Sequence, residues 1–275
     1  MKLGVMQGVL GDPLPDVFAV ARDLGFDGVE IDWHSAADAQ PGGSLEPARR
    51  PLLRGAALSA GVEISSVAAH FLNGGGLASP DEKTQQFAVT VIQVGLQLCR
   101  DLGAGALLVP FFGAGTIAKS EAVDRLEKHL KELAPQAERS GVTVAIEHTL
   151  SGRDAAAVLD RVGSPRVGDY WDMANCFCFG YDPLEEIAAL GHHIARVHAK
   201  EYARGDAPVG TRDTPHYGGL NPCRFGEGDV PVPAVIAALR QVGYGSFITL
   251  ETGAFGDRHQ SAASALQVLR SAGGG

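Results

Sequence analysis

At 275 residues the chain is long enough for one large core or two domains, and its 45% hydrophobic and 20% charged residues are ordinary for a globular protein. A net charge of −9 argues against a nucleic-acid partner, which usually meets a basic patch. No apolar run is long enough to span a membrane, and the N-terminus shows no signal region, so no membrane role and a cytoplasmic setting are expected. The cysteines, Cys99, Cys176, Cys178 and Cys223, have no CxxC spacing and read as free thiols; the Cys176-x-Cys178 pair alone is a weak zinc signal.

Residues 3–6 form a first short apolar strand, which runs straight on from the N-terminus. A punctuation then recurs: an amphipathic segment ends in glycine, and a short apolar run follows. Gly25 precedes the run 28–31, Gly61 precedes 62–67, Gly103 precedes 106–109, and Gly141 precedes 142–146. Gly163 precedes 166–171, Gly191 precedes 194–197, and Gly243 precedes 247–250. Glycine suits a helix end because the residue past the last turn is often left-handed. With the first strand, these junctions make eight strands.

The segments between them carry helical spacing. Val17, Val20 and Leu24 lie on one face, as do Leu126, Leu130, Leu133 and Ala137, and later Val232, Val235, Ile236 and Leu239. Ser79-Pro80-Asp81-Glu82 reads as a capping box with proline at the first helical position, followed by a face of Phe87, Val91, Val94, Leu98 and Leu102. A last helix is expected near 262–269. Repeated β-α alternation reads most simply as an α/β fold, a (β/α)8 TIM barrel forming a single domain over 1–275. An open doubly wound sheet is the alternative. However, no GxGxxG follows the first strand, and Asn73-Gly74-Gly75-Gly76 lacks the lysine of a phosphate-binding loop. The longest irregular stretch, 201–229, falls after the seventh strand, and loops of that length often act as lids.

In a barrel the C-terminal strand ends share one rim, where sites are built. The fifth strand ends at Glu147, the sixth at Asp172, the seventh at His198 and the eighth at Glu251. Each alone reads equally well as a surface acid or a satisfied core histidine. Together they form an oxygen-rich divalent-metal set with one imidazole, and adjacent carboxylates would repel one another without a cation.

The chain resembles the xylose-isomerase-like barrels of the sugar phosphate isomerase/epimerase group, over its whole length. The stretches that carry the resemblance are Gly25-Phe-Asp-Gly-Val-Glu-Ile31, Ala145-Ile-Glu147, Asp172-Met-Ala-Asn175, Val197-His-Ala-Lys-Glu201, Gly226-Glu-Gly-Asp-Val230 and Ile248-Thr-Leu-Glu251. In similar ketose 3-epimerases the matching Glu147, Asp172, His198 and Glu251 bind one divalent ion, and the glutamates Glu147 and Glu251 act as acid and base. The resemblance thus implies a metal-dependent isomerase or epimerase of a keto sugar, sugar phosphate or polyol in carbohydrate metabolism. Mn²⁺ is the foremost candidate ion, with Co²⁺, Mg²⁺ or Zn²⁺ as alternatives. Similar enzymes are frequently homodimers or homotetramers. The alternatives are an inosose-type dehydratase built on the same enediolate, a repair nuclease like endonuclease IV, which has more rim histidines, and a non-catalytic sugar-binding protein.

The resemblance also points to substrate-binding residues. Arg204, six residues after His198, matches an arginine that binds substrate. Asn175 stands where the epimerases have a histidine, and Arg153 where they have a glutamate. That reversal of charge suits a phosphate or carboxylate, or else Arg153 simply starts a helix. His70, at the end of the third strand, could reach substrate, or else it is a core or rim histidine. Trp33 and His34, with Phe111 and Phe112, could form an apolar wall against a sugar face, or simply pack. His216 and Glu227 fall in or near the long loop, where the glycines beside Glu227 are expected to shape the turn.

Overall fold

The computed structural model describes residues 1–117, 119–205 and 220–274. Its strands and helices alternate from β1 (Lys2–Met6), α1 (Gln7–Leu10) and α2 (Val17–Leu24) to β2 (Gly28–Asp32), α3 (Arg50–Ala60) and β3 (Glu63–Ala68). Next come α4 (Glu82–Leu102), β4 (Ala106–Pro110), α5 (Ser120–Ser140), β5 (Thr143–Glu147), α6 (Gly152–Val162) and β6 (Val167–Asp172). The chain continues through α7 (Asn175–Cys178), α8 (Pro183–Leu190), β7 (Ile194–Ala199), β8 (Tyr202–Arg204) and β9 (Leu220–Pro222). It ends with α9 (Val232–Gln241), β10 (Phe247–Leu250) and α10 (Arg258–Gly273). The barrel strands close in the order β1-β10-β7-β6-β5-β4-β3-β2, every pair parallel, with the helices outside. The (β/α)8 TIM barrel expected from the glycine punctuation is the observed fold, and the open doubly wound sheet is excluded by the β1–β10 pairing.

Local chemistry accounts for the elements. Gly141 closes α5 at φ +74°, and its N–H reaches the Ala137 carbonyl, which reverses the chain into β5. The apolar strand residues are buried because they meet helices on one face and the barrel interior on the other. Inside the barrel, Ala68, Leu108, Ala145 and Tyr170 pack as one small cluster. Below it the Arg196 guanidinium plugs the N-terminal end, donating to the Ala195 carbonyl (2.8 Å) and Ser246 Oγ (2.7 Å).

Three sequence expectations change in detail. The capping box is not what starts α4: Asp81 is the N-cap, its Oδ2 accepting the Thr84 N–H at 2.8 Å, while Ser79 Oγ accepts the Asp81 N–H. A carboxylate one residue before the helix can reach the third helical amide, and Ser79 lies outside that reach. Phe87 is not on the buried face of α4. It is 50% exposed, whereas Val91, Leu98 and Leu102 of the expected face are buried, along with Ala88, Ile92, Gly95 and Cys99. The stretch read as irregular contains a two-stranded antiparallel ladder, β8 with β9, standing over the rim. His216 lies outside the described residues.

Candidate metal centre

A period of two sets the inward face of each strand. On β6 it carries Tyr170 and Asp172, on β5 Ala145 and Glu147, and on β10 Thr249 followed by Glu251. On β7 it carries Arg196 and His198, and then Lys200 just past the strand. The C-terminal ends therefore bring Glu147, Asp172, His198 and Glu251 together, with one ligand atom of each lying within 4.8 Å of the others. A second grouping, Asp160 with His192 and His193, sits beside the start of β7 at the opposite end of the barrel and is more exposed.

The polar atoms of the quartet divide into two sets. Asp172 Oδ1 accepts the Ala174 and Asn175 N–H groups, each at 2.7 Å, which fixes the carboxylate. Asn175 Nδ2 donates to Glu147 Oε1 at 2.8 Å. Asn175, expected at the substrate, is thus seen holding the Glu147 carboxylate. The remaining atoms face one another without hydrogen bonds: Asp172 Oδ2, His198 Nδ1 and Glu251 Oε2 are buried and unpartnered. His198 Nδ1 is 3.0 Å from Glu251 Oε2 and 3.8 Å from Glu147 Oε1, close but not aligned for a hydrogen bond. Buried polar atoms are normally satisfied. Orphans that converge from several strands, with hard oxygen donors and one imidazole, fit a divalent cation.

Behind His198 lies a residue to which the sequence reading assigned no role. Glu30 on β2 is fully buried, and its Oε1 is 2.8 Å from His198 Nε2. Its Oε2 accepts the Tyr170 hydroxyl at 2.5 Å and the Ser66 hydroxyl at 2.6 Å. A carboxylate on the far nitrogen sets the imidazole orientation and leaves Nδ1 for the cluster. Burial by itself would raise the Glu30 carboxyl, but the His198 ring and the Ser66 and Tyr170 hydroxyls outweigh it and hold it below the usual range. The signal was present in Val29-Glu30-Ile31, an acid between buried β-branched neighbours.

The electrostatics of the quartet are uneven. Burial, with help from Glu251 and Glu147, pushes the Asp172 carboxyl up to about 7 against the pull of Lys200. Glu251 goes the other way: burial opposes ionisation, yet the Lys200 ammonium and His198 hold it well below the carboxylate range. Lys200 Nζ donates to Glu251 Oε1 at 3.0 Å and lies 3.9 Å from Asp172 Oδ2.

The other expected residues fall in distinct places. His70 stands just past β3, with Nε2 3.6 Å from Asp32 Oδ1. Burial would lower its pKa, but Asp32, Glu30 and Glu251 raise it, so it shares the field of the barrel mouth. Phe112 is half-buried and stacks on Phe179, with centroids 6.5 Å apart. Trp33 does not line the mouth: it is 1% exposed, edge-on to Phe71 and packed where α4 offers Gly95. Phe111 is likewise in the core. Arg153 is exposed in the first turn of α6. Arg204 is exposed on β8, its N–H bonded to Asp229 Oδ2 (2.5 Å). Glu227 lies in a turn gripped by Glu201, whose Oε2 accepts the Gly226 N–H (3.1 Å) and whose Oε1 accepts the Val230 N–H (3.0 Å). Cys176 is buried, with its thiol directed to the Met173 carbonyl, and no cysteine belongs to the quartet.

A cavity of about 320 Å³ adjoins the quartet at Lys200 and Glu251, bounded by Met6, Gly8, Tyr202 and Cys223. A larger cavity, about 890 Å³, is a groove on the outer wall beside α10 and holds none of the quartet. Among the described residues no helix is long and apolar enough to cross a membrane.

Comparison with known proteins agrees with this architecture. A curated relative, 2-epi-5-epi-valiolone 7-phosphate 2-epimerase from Actinoplanes sp. (strain ATCC 31044 / CBS 674.73 / SE50/110), is 27% identical over 221 residues, covering 79% of this chain and 77% of the relative. The solved structure of L-ribulose 3-epimerase superposes with a TM-score of 0.79 at 18% identity, covering 99% of this chain and 94% of that one. The IOLI protein, solved with a bound zinc atom, superposes with a TM-score of 0.75 at 19% identity, covering 99% and 96%. The family model described as xylose isomerase-like TIM barrel matches residues 18–272, and the chain belongs to that family.

Proposed function

We propose that the protein is a divalent-metal-dependent epimerase or isomerase of a keto sugar, sugar phosphate or related polyol. The observation that carries the reading is the convergence of Asp172 Oδ2, His198 Nδ1 and Glu251 Oε2, buried and unpartnered, beside Glu147. The epimerase names of the relatives support it, and the 7-phosphate in the curated relative's name makes a phosphorylated substrate a fitting member of the class.

Glu147, Asp172, His198 and Glu251 would hold the ion, which when bound supplies a Lewis acid that polarises a carbonyl and acidifies the adjacent C–H. The protein's own groups carry the proton. Glu147 ends β5 and Glu251 follows β10, with β6 and β7 between them in the wall, so they reach the axis from different directions. One carboxylate removes the proton beside the carbonyl, and the other returns a proton to the opposite face, inverting the carbon. Return from the same side would instead move the carbonyl. Asn175 would steady Glu147 throughout, and His70, beside Asp32 at the mouth, would bind a substrate oxygen.

The test is solvent exchange. Mn²⁺-loaded protein in D₂O, given ketoses, ketose phosphates and inososes, is expected to place deuterium beside the carbonyl of its substrate. Glu147→Gln and Glu251→Gln should each slow that exchange by about 10²- to 10⁴-fold. An epimer, an aldose or a dehydrated ketone as product identifies epimerase, isomerase or dehydratase. A metal-loaded protein that exchanges none of these compounds would sink the reading.

A further inference from the structure

We propose that Lys200 is a working part of the centre: the resident cation that fixes Glu251 and presents an ammonium to the substrate cavity. The inference rests on the metal-dependent reading above and deepens it.

Position comes first. Lys200 follows β7 two residues after His198, so the strand's alternation turns both inward. Its Nζ donates to Glu251 Oε1 at 3.0 Å and lies 3.9 Å from Asp172 Oδ2. The two Glu251 oxygens are thereby given separate tasks: Oε1 is held by Lys200, and Oε2 faces His198 Nδ1 at 3.0 Å, inside the quartet. With one oxygen tied, Glu251 offers the ion a single oxygen in a fixed direction.

Charge comes second. Glu30 lies behind the centre, where it accepts the Nε2–H of a neutral His198 and the Tyr170 and Ser66 hydroxyls, outside the quartet. The carboxylates of Glu147, Asp172 and Glu251 remain, a charge of −3 when all are ionised. A divalent ion leaves −1, and Lys200 brings the sum to zero. A cation this near the ion also repels it, so Lys200 keeps metal affinity below what the bare carboxylates would give.

Access comes third. The Lys200 side chain is 21% exposed and lines the cavity of about 320 Å³ next to Glu251. The Tyr202 ring, its centroid 6.0 Å from Nζ, flanks the ammonium. An ammonium carries three N–H donors, and Glu251 takes one. A hydroxyl or phosphate oxygen of a substrate lodged in this cavity meets Lys200 beside the base. This makes Lys200 a positioning residue for Glu251 and a contact for substrate.

The experiment compares the full-length wild type, Lys200→Met and Lys200→Arg. Metal-stripped protein is titrated with Mn²⁺ by calorimetry. Lys200→Met is expected to bind about tenfold tighter or more, because a repelling charge is gone while all the ligands remain. Lys200→Arg should stay near wild type. A purely structural lysine would give weaker binding or none of this pattern. Unchanged or weaker Mn²⁺ binding in a folded Lys200→Met overturns the assignment. In the exchange assay, KM for the ketose that the wild type turns over should rise about tenfold in Lys200→Met and recover in part in Lys200→Arg; an unchanged KM also overturns it. If the wild type exchanges no ketose, the epimerase reading fails by itself, and the Mn²⁺ titration still decides the role of Lys200.

Discussion

Glu30 shows how one buried acid organises a site it does not belong to. It accepts from Tyr170 and Ser66, pairs with His198 Nε2 and leaves Nδ1 turned to the quartet. Removing its charge while keeping its shape should loosen the imidazole without emptying the core. Glu30→Gln is expected to weaken Mn²⁺ binding by about 10- to 100-fold, read by calorimetry, with the helical circular dichroism unchanged. Equal affinity would mean that the His198 orientation is set by packing alone. At the same scale Asn175, which stands where similar epimerases have a histidine, turns its amide to Glu147 and so braces the quartet. Residue type alone does not decide this, because an asparagine three positions past an aspartate can turn toward solvent, toward substrate or toward a neighbouring carboxylate.

At the scale of elements, the described part of the loop after β7 is held by two carboxylates, Asp229 on the Arg204 amide and Glu201. Glu201 takes the Gly226 and Val230 amides, and Gly228 packs directly over it. A Cβ on Gly228 would stand 2.6 Å from the Tyr202 carbonyl and closer still to Glu201 Oε1, a gap that only glycine fills. Gly228→Ala should therefore shift the β8–β9 ladder off the rim. The expected outcome is a several-fold higher KM in the exchange assay with Mn²⁺ affinity intact, since no ligand of the quartet lies on that loop. Intact KM would show that the ladder plays no part in substrate binding. The glycine pattern Gly226-Glu-Gly-Asp was visible in sequence as loop-shaping; its grip by Glu201 was not, because the two segments meet only across the intervening loop.

For the molecule as a whole, the quartet ties β5, β6, β7 and β10 together at one end. Three clustered carboxylates repel in the metal-free protein, and a bound ion reverses that repulsion. Mn²⁺ at about 100 times its dissociation constant should stabilise the fold by roughly 2.7 kcal/mol, seen as a higher Tm that a chelator removes. A Tm indifferent to Mn²⁺ and to chelator would show that the native state does not bind the ion. The acidic balance of the chain, −9, is compatible with a small-molecule substrate.

The order of strands and helices was legible in the sequence alone, because glycine caps and apolar runs are local signals repeated at each β-α step. The gathering of Glu147, Asp172, His198 and Glu251 on one rim was legible for a related reason: barrel geometry makes the end of a strand a known address. What belongs to the tertiary structure is every relation between strands far apart in the chain. Glu30 meets His198 across 168 residues, and Lys200 meets Glu251 across 51. Trp33 and Phe111 are core rather than a sugar wall because a strand in a parallel barrel is buried on both faces, and no local pattern says which face an aromatic takes. Spacing along the chain predicts which residues stand at the rim. Only closure of the barrel decides which of them face one another, since that depends on register between strands and not on sequence within them.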